Sequence, residues 1–483
     1  MTNMLFIMSD EHNRKVMGCA GHEMIQTPNM DALAARGVRF TDAYCNSPIC
    51  VPSRASFATG TYPHQNRFWD NAIPYNGTMT TWHHRLRESG CTATSIGKLH
   101  FRSSDDDNGF TEEVMPLHVV DGEGDVLGLV RDHNAPPRKA TLRMAEEAGP
   151  GDSSYQRYDD RIIEASIAWL QQRAAEKDGK PWTLFVSLVC PHFPLVSREE
   201  WYRLYPEGNV PWPKFYGENE RPRHTWLEAM RRTAIYDEAF NEERVRRAIS
   251  AYFGMVSFQD DNLGRLMKAL EDTGLIETTR VIYTSDHGDN LGARGLWGKS
   301  NMYEDSAGIP MLMAGPGVPQ GVVCREPVSL VDAYPTILAT MGIEPNEADR
   351  KLPGANLLDV VSGKVGERTI LSEYHASGSV SGAFMIRRGR HKLVYYAAGH
   401  APQLFDVVAD PWEGRDLAQE PGYAGLLADC IADLRKICDP DSVDALCKAD
   451  QAKLIAHYGG WEKITKRGTF GHSPVPGDKP IYA

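Results

Sequence analysis

The chain of 483 residues lacks three features that would place it in a class at once. It has no apolar run approaching the roughly 20 residues of a membrane-spanning helix, so we expect no membrane segment. It lacks an excess of positive charge: the formal net charge is -12, which argues against nucleic acid or an anionic membrane as the main partner. Its nine cysteines show no paired spacing, which is typical of a chain kept in a reducing compartment.

The first residues, MTNMLFIMSDEHNRK, also lack the basic region and the small-residue cleavage site of a signal peptide. Together with the cysteine usage, this predicts a soluble cytoplasmic protein. The length allows roughly two to four domains and a large core. We find neither an internal repeat nor a low-complexity block in the sequence.

Buried strands and amphipathic helices alternate along most of the chain. Strands are predicted at 3–8, 92–97, 182–189, 280–285 and 309–315, and helices at 29–37, 159–174, 241–272 and 330–342. This alternation predicts an α/β fold with a large, mostly parallel sheet sandwiched by helices.

After about residue 365 the pattern changes to short antiparallel strands, at 383–396 and 402–413, followed by one helix near 424–437. We therefore predict a catalytic α/β domain over 1–365, a smaller C-terminal α+β subdomain over 366–463 and an extended tail over 464–483. The polar segments 103–158 and 194–225 are rich in Gly, Pro and Asp, and we interpret them as long surface excursions that serve as lids.

The segment NSPICVPSRASFATGTYPH, residues 46–64, sets a thiol at the start of a short helical run that Gly60 closes. Cys50 and Arg54 share one helix face, and backbone N–H groups at a helix start bind anions. The guanidinium adds a forked donor, so the site suits an anion with several oxygens. A soft sulfur, however, is poorly matched to a hard metal. A buried structural cysteine beside an ordinary helix arginine remains the alternative.

Acidic side chains follow two of the predicted strands. Asp10 and Glu11 stand at the carboxyl end of the first strand, and Asp286 and His287 in SDHGDN at the end of another. Ligands of open α/β sheets bind at this edge, and three carboxylates with an imidazole suit one divalent cation. Each pair alone is also compatible with a surface turn or loop.

Four basic side chains also lie at or after predicted strand ends: Lys98 and His100 in GKLH, His192 in CPHFP, and Lys299 in GLWGKSN. Any one of them alone is more often a solvated or capping residue. Together they would surround one anion with positive charge.

CVPSR followed by ASFATGTYPH, with GKLH and SDHGD, resembles the type I sulfatase family of the alkaline phosphatase superfamily, over nearly the whole chain. FWDNA at 68–72 and SDHGDNLGARGLWGKSN are most similar to the choline-sulfatase branch, which also resembles bacterial arylsulfatases and phosphonate monoester hydrolases. The resemblance implies an alkaline phosphatase-like fold and hydrolysis of sulfate monoesters.

The resemblance also implies that a formylglycine-generating enzyme oxidises Cys50 to formylglycine (3-oxoalanine), with Pro52 and Arg54 in its recognition sequence. The hydrated aldehyde is a gem-diol, which offers an oxygen nucleophile to a hard metal and removes the mismatch of the thiol.

The family motif assigns roles to individual positions. The implied metal ligands are Asp10, Glu11, modified Cys50, Asp286 and His287; the catalytic residues are Cys50, Arg54, His100, His192 and Lys299; and the substrate-binding residues are Lys98 and Asn71. Many sulfatases carry Asp where this chain has Glu11, and Asn where it has His287. On family grounds we expect one Ca²⁺ ion, with Mn²⁺, Mg²⁺ or Zn²⁺ as alternatives.

The cationic pocket fits a monoanion, so we predict an aryl or small alkyl sulfate as substrate. Phosphonate monoesters, phosphodiesters and choline sulfate are alternatives, as is a non-catalytic metal-binding relative. A choline cage would draw on Trp69, Phe101, Trp297, Tyr303 and Glu373. We also predict a homo-oligomer, a dimer or a dimer of dimers, in which the tail packs on a neighbouring subunit.

Overall fold

A computed structural model of the chain describes residues 2–176 and 179–482. Its strands are β1 (Asn3–Asp10), β2 (Gly37–Phe40), β3 (Ala43–Tyr44), β4 (Thr92–Lys98), β5 (Glu112–Leu117), β6 (Gly149–Pro150), β7 (Trp182–Pro191), β8 (Val196–Ser197), β9 (Thr279–Ser285), β10 (Met311–Ala314), β11 (Val322–Cys324), β12 (Val328–Ser329), β13 (Thr369–Tyr374), β14 (Ala383–Arg388), β15 (His391–Tyr396) and β16 (Gln403–Asp406). Its α-helices are α1 (Pro28–Ala35), α2 (Cys50–Thr59), α3 (Pro63–Asn66), α4 (Trp82–Glu88), α5 (Ala140–Glu147), α6 (Ser154–Ala175), α7 (Glu199–Tyr202), α8 (Thr225–Ala234), α9 (Tyr236–Ala239), α10 (Glu242–Asp272), α11 (Glu304–Ala307), α12 (Ala333–Thr340), α13 (Leu357–Val361), α14 (Ala424–Ile437), α15 (Pro440–His457) and α16 (Trp461–Arg467).

Strand β1 shows why its sequence is an unbroken apolar run. Met4, Phe6 and Met8 face one hydrophobic core, whereas Leu5 and Ile7 face the other. Successive side chains of a strand point to opposite faces, so a central strand covered on both sides needs apolar residues at every position.

The main sheet has eight strands within the described residues, in the order β11-β2-β10-β9-β1-β7-β4-β5. Strand β10 runs antiparallel to both of its neighbours, and the other adjacent pairs are parallel. Helices α1, α6 and α10 contribute to the core on one face, and α2, α4 and α12 to the core on the other. The predicted mostly parallel sheet between two helical layers is therefore confirmed.

The C-terminal part forms a second, four-stranded antiparallel sheet in the order β13-β14-β15-β16, with α14 beside it. This confirms the predicted smaller α+β unit. A buried ion-pair network joins it to the large unit, because Lys392 Nζ lies 2.8 Å from Glu304 Oε1 and 2.7 Å from Glu413 Oε1. The domain boundaries themselves stay predictions.

Several segments differ from the sequence expectation, of which the excursion over 103–158 and helix α15 are the clearest. The excursion over 103–158 contains β5, which pairs with β4 at the sheet edge, as well as α5 and the start of α6. Strand β5 was missed because an edge strand is partly exposed and here carries acidic residues rather than an apolar run. Helix α15 was missed because few of its residues are buried, which leaves a weak apolar spacing.

The tail over 464–483 is not extended throughout, because its first four residues belong to α16. Its later residues lie against this chain's own pocket, where Ser473 Oγ is 3.0 Å from His100 Nε2. The packing of the tail on a neighbouring subunit stays a prediction. No helix in the described part of the chain has the length and apolar character needed to cross a membrane.

Candidate active site

Four adjacent strands bring the predicted site residues to one edge of the sheet. Asp10 ends β1, Lys98 ends β4, His192 follows β7 and Asp286 follows β9. These strands are neighbours in the order β9-β1-β7-β4 and all run parallel, so their carboxyl ends meet. The convergence that the sequence predicted follows directly from this topology.

Cys50 enters the same edge at the first residue of α2. The residue before the helix, Ile49, has no side chain that could cap the helix start. At the other end, Gly60 terminates the helix in the left-handed conformation, with φ of 69°. The backbone N–H of Val51 instead donates to Asn71 Oδ1 at 3.2 Å. The helix start therefore presents its dipole to the site, with the Asn71 side chain fixed beside it.

Four buried side chains form a group that can hold a metal ion: Asp10, Cys50, Asp286 and His287, with donor atoms within 4.8 Å of one another. Cys50 Sγ lies 3.2 Å from His287 Nε2 and 3.6 Å from Asp10 Oδ1. His287 Nδ1 lies 3.1 Å from the Gly288 carbonyl, which only accepts, so Nδ1 donates and Nε2 is left with its lone pair toward Cys50.

Arg54 holds this group from behind. Its Nε donates to Asp286 Oδ2 at 2.8 Å and its Nη2 to Asp10 Oδ2 at 3.2 Å. Its Nη1 donates to the Lys98 carbonyl and to Ser187 Oγ, both at 2.8 Å. The guanidinium is buried and points at the two carboxylates, so it fixes their orientation and balances their charge.

Glu11 lies in a second group, with Asp10 and His192. Its Oε2 is 2.9 Å from Lys299 Nζ and 3.4 Å from His192 Nε2, while its buried Oε1 has no hydrogen-bond partner among the described residues. Burial raises the pKa of Glu11 to about 8, although the charge of Lys299 opposes the shift. The Glu11 side chain thus lies between the metal group and the positively charged side chains on the other side of the site.

Lys98 and Lys299 form a cationic wall beside Glu11, and His192 lies against Lys299. Lys98 Nζ lies 2.5 Å from Asp10 Oδ2, yet it makes no hydrogen bond in the described part of the chain. Lys299 Nζ donates to His192 Nε2 at 2.7 Å, and the other ring nitrogen of His192 lies 2.6 Å from the Phe193 carbonyl. Burial opposes ionisation of Asp10, but the charge of Lys98 leads a set of neighbours that holds the pKa of Asp10 well below its usual value.

Two site residues, Glu11 and His100, and Ser300 next to Lys299 adopt left-handed backbone conformations. The φ angles are 69° at Glu11, 56° at His100 and 84° at Ser300, which follows Lys299. Non-glycine residues in this region cost of order 1–3 kcal/mol and cluster at functional sites. Burial and the charge of Lys98 lower the pKa of His100, so its ring is neutral at pH 7.

A pocket opens in front of the cluster and is lined by Cys50, Asn71, His100, His192 and Lys299. The excursion over 103–158 contributes to the wall of this pocket, and its role as a lid stays a prediction. The wall residues from this excursion include Asp125, Arg138 and Met144. The excursion over 194–225 contributes no residue to this pocket among those described.

The predicted choline cage does not assemble. Of its candidates only Trp297 lines the pocket. Trp69 Nε1 donates to Asp450 at 3.0 Å, and Glu373 is occupied by His64 and His375. These side chains serve the packing of the C-terminal subdomain.

Sequence reasoning missed several residues of the site. Ser187 holds Arg54, and its signal is a polar residue inside the apolar run WTLFVSLV of β7. Tyr155 contacts His192 from α6, and Ser473 contacts His100 from the tail. These two gave no local signal, because only the fold brings them to the pocket.

The geometry defines a class: an enzyme site at the carboxyl edge of an α/β sheet that combines a metal-binding group, a helix start and two lysine ammonium groups, which suits an oxyanion substrate. The Sulfatase family profile matches residues 2–343, and the profile for the C-terminal part of N-sulphoglucosamine sulphohydrolase matches residues 292–439. The chain therefore belongs to the sulfatase family, and the predicted sulfuric ester hydrolase activity is confirmed.

Individual relatives agree with this assignment. The chain is 34% identical over 478 residues to the choline-sulfatase of Rhizobium meliloti (strain 1021), covering 94% of this chain and 90% of that protein. It is 29% identical over 462 residues to arylsulfatase K of Danio rerio, covering 91% and 84%. Its fold matches the phosphonate monoester hydrolase of Agrobacterium radiobacter with a TM-score of 0.71 and 23% identity, covering 92% of this chain and 96% of that chain.

Proposed function

We propose that the protein hydrolyses aryl or small alkyl sulfate monoesters with one divalent metal ion and a formylglycine formed from Cys50. The observation that carries this proposal is the pairing of one metal group with three cationic side chains at one pocket. The metal group is Asp10, Cys50, Asp286 and His287, and Lys98, Lys299 and Arg54 supply the fixed positive charges.

The donor set fits a divalent metal. Asp10 and Asp286 offer carboxylate oxygens that Arg54 already orients, and His287 offers Nε2. The unpartnered Oε1 of Glu11 is a further buried oxygen near the group. Hard oxygen donors favour Ca²⁺, Mg²⁺ or Mn²⁺, whereas the imidazole extends the range to Zn²⁺, and Ca²⁺ remains our first choice on family grounds. When bound, the ion would polarise a sulfate oxygen and activate the hydroxyl at position 50.

Conversion of Cys50 also fits its surroundings. Burial, together with the charge of Asp10, raises the pKa of the thiol to about 12, so an unmodified Cys50 is a neutral and poorly nucleophilic group at pH 7. As formylglycine, the residue would supply a hydrated aldehyde with an oxygen nucleophile at the helix start. A formylglycine-generating enzyme would then be a partner during maturation.

The remaining residues bind and move charge. Lys98 and the amide of Asn71 hold sulfate oxygens in front of the helix start. Lys299 and His192 stabilise the negative charge that develops on the bridging oxygen of the leaving group. His100 accepts a proton at Nδ1, the ring nitrogen without a hydrogen-bond partner among the described residues.

The charge of the pocket favours a monoanion. A sulfate monoester carries one negative charge, whereas a phosphate monoester carries nearly two, for which two-metal enzymes use a second cation. Here lysine ammonium groups lie beside Glu11 and Asp10 instead. Phosphonate monoesters and phosphodiesters are also monoanions, so the second candidate function is their hydrolysis at the same site.

A substrate panel tests the proposal. We expect the highest kcat/KM for an aryl sulfate, lower values for a phenyl phosphonate and choline sulfate, and loss of all activity with a chelator that a divalent ion restores. Elemental analysis should find one metal ion per chain. A higher kcat/KM for the phosphonate would favour the second candidate, and activity that survives removal of every metal would overturn the proposal.

The predictions of assembly and compartment also remain proposals. Hydrolysis requires only a small-molecule sulfate ester as the substrate partner. We propose that the protein works in the cytoplasm as a homo-oligomer, a dimer or a dimer of dimers. The acidic net charge of -12 supports the absence of a nucleic acid partner.

A further inference from the structure

The C-terminal strap, defined here as residues 469–473, lines the pocket and is tied to the large unit at both ends. Thr469 Oγ1 donates to Asp125 Oδ2 at 3.0 Å at one end, and the Tyr155 hydroxyl donates to the Ser473 carbonyl at 2.6 Å at the other. Thr469 and Phe470 are buried, so the first part of the strap is packed into the protein.

One contact of the strap reaches the catalytic machinery directly. Ser473 Oγ lies 3.0 Å from His100 Nε2, while His100 Nδ1 is buried without a partner among the described residues. A neutral imidazole donates at one nitrogen and accepts at the other, and a serine hydroxyl can serve as the partner of either kind. A buried N–H at Nδ1 would have no acceptor among the described residues, which costs more than an unpaired lone pair, so Nε2–H donates to Ser473 Oγ and the lone pair lies on Nδ1.

The position of Ser473 is itself fixed by the fold. Tyr155 is almost fully buried at the start of α6, and its ring meets His472 of the strap edge-on at 5.3 Å and His192 at 5.9 Å. One tyrosine therefore sets the strap relative to both histidines of the pocket.

We propose that Ser473 is a positioning residue that, within the same chain, holds His100 in the Nε2–H tautomer and so keeps Nδ1 ready to accept a proton. This inference deepens the proposed function and rests on it for its kinetic part. It gives the strap a role that its local sequence, TFGHS, does not indicate.

The kinetic test compares Ser473→Ala with Ser473→Thr, which keeps the hydroxyl, and with Thr465→Ala, an exposed control on α16. With a nitrophenyl sulfate, Ser473→Ala should lower kcat about tenfold with little change in KM, because the lost hydrogen bond orients a base rather than the substrate. Ser473→Thr should recover most of kcat, and Thr465→Ala should match the wild type. A Ser473→Ala enzyme with kcat within twofold of the wild type, or one altered only in melting temperature, would overturn the proposal.

A second readout does not depend on activity. In protein labelled with ¹⁵N-histidine, the His100 ring signals, assigned with His100→Gln, should report the Nε2–H tautomer in the wild type and a mixture of tautomers in Ser473→Ala. An Nδ1–H tautomer in the wild type would contradict the proposal even if the enzyme is active. A wild-type protein inactive on every sulfate but with the expected tautomer would instead count against the proposed function alone.

Co-expression separates action within one chain from action between subunits. If each strap serves its own chain, enzyme assembled from His100→Gln and Ser473→Ala chains should be no more active than the Ser473→Ala chains that it contains. Recovery of activity beyond that level would show that the strap serves a neighbouring pocket, and would refute the placement within one chain.

Discussion

Arg54 illustrates how one residue serves several needs of the site. Its guanidinium donates to four acceptors, one each on β1, β4 and β7 and one on Asp286, which follows β9. Burial opposes its charge, but Asp286 and Asp10 more than compensate and raise the pKa of Arg54. A planar fork satisfies these acceptors together, and a lysine ammonium does not.

We therefore expect Arg54→Lys to weaken metal affinity at least tenfold and to lower kcat/KM about a hundredfold, because the two carboxylates lose their common donor. Metal titration and steady-state kinetics measure these effects. The modified fraction of Cys50 must be measured in each preparation, since Arg54 also belongs to the implied recognition sequence. Arg36→Lys, which changes only a surface pair with Glu271, is the matched control. Unchanged metal affinity in Arg54→Lys would contradict the positioning role.

A second prediction concerns Lys299 and His192. Their contact with each other and with Glu11 makes them one hydrogen-bonded unit beside the pocket, in which Lys299 carries the positive charge. Replacing either with alanine should reduce kcat/KM strongly for sulfates with poor leaving groups and weakly for nitrophenyl sulfate, because a good leaving group needs little charge stabilisation. The slope of log kcat/KM against leaving-group pKa should steepen. Parallel plots for variant and wild type would place both residues in sulfate binding instead.

At the scale of elements, Glu373 connects α3 to β13 beside the catalytic helix. Its Oε1 accepts from the His64 backbone N–H at 3.0 Å and from His64 Nδ1 at 2.8 Å, and its Oε2 lies 3.0 Å from His375 Nε2. Burial alone would raise its pKa, but His64 and His375 lower it from 4.5 to about 2. The carboxylate therefore stabilises the fold.

The sign of the pH dependence follows from that shift. Because the pKa of Glu373 is lower in the folded chain, its contribution, of order 3 kcal/mol, is present above about pH 4.5 and is lost as the pH falls towards 2. Glu373→Gln should lower the melting temperature clearly at pH 7, and the gap to the wild type should narrow at pH 3. The exposed Glu347→Gln is the control. A gap of equal size at both pH values would refute the assignment.

Elements with a strong local signal were predictable, and elements that depend on distant partners were not. The run NMLFIM gives β1 because a strand buried on both faces must be apolar throughout, and strand ends then give Asp10 and Asp286. Strand β5 has no such signal, since only its pairing with β4 makes it a strand. Ser187 was predictable in principle as a polar residue in an apolar strand, whereas Tyr155 and Ser473 are set by contacts hundreds of residues apart.

At the scale of the whole molecule, the tail divides into two parts. Residues 469–473 line the chain's own pocket, whereas Ile481 near its end is exposed and Tyr482 packs on Phe470 and Arg467. The exposed Ile481 is the apolar side chain that a neighbouring subunit would cover if the proposed homo-oligomer forms.

Truncation tests this division of the tail. Removing residues 474–483 should shift the protein toward the monomer in light scattering while the strap stays present, and removing residues 469–483 should in addition cut kcat because Ser473 is lost. The full-length mass measured for both truncated proteins would refute the role of the tail in assembly. Full activity of the longer truncation would refute the role of the strap.

The central claim is that a modified Cys50 performs the chemistry, and mass spectrometry of the peptide that contains residue 50 tests it most directly. In active enzyme we expect the aldehyde form, in which oxygen replaces sulfur and two hydrogens are lost, with specific activity proportional to the aldehyde fraction across preparations. Cys50→Ala, which cannot be converted, should lose activity by roughly a thousandfold or more. Fully active protein whose residue 50 is entirely an unmodified thiol would contradict the account.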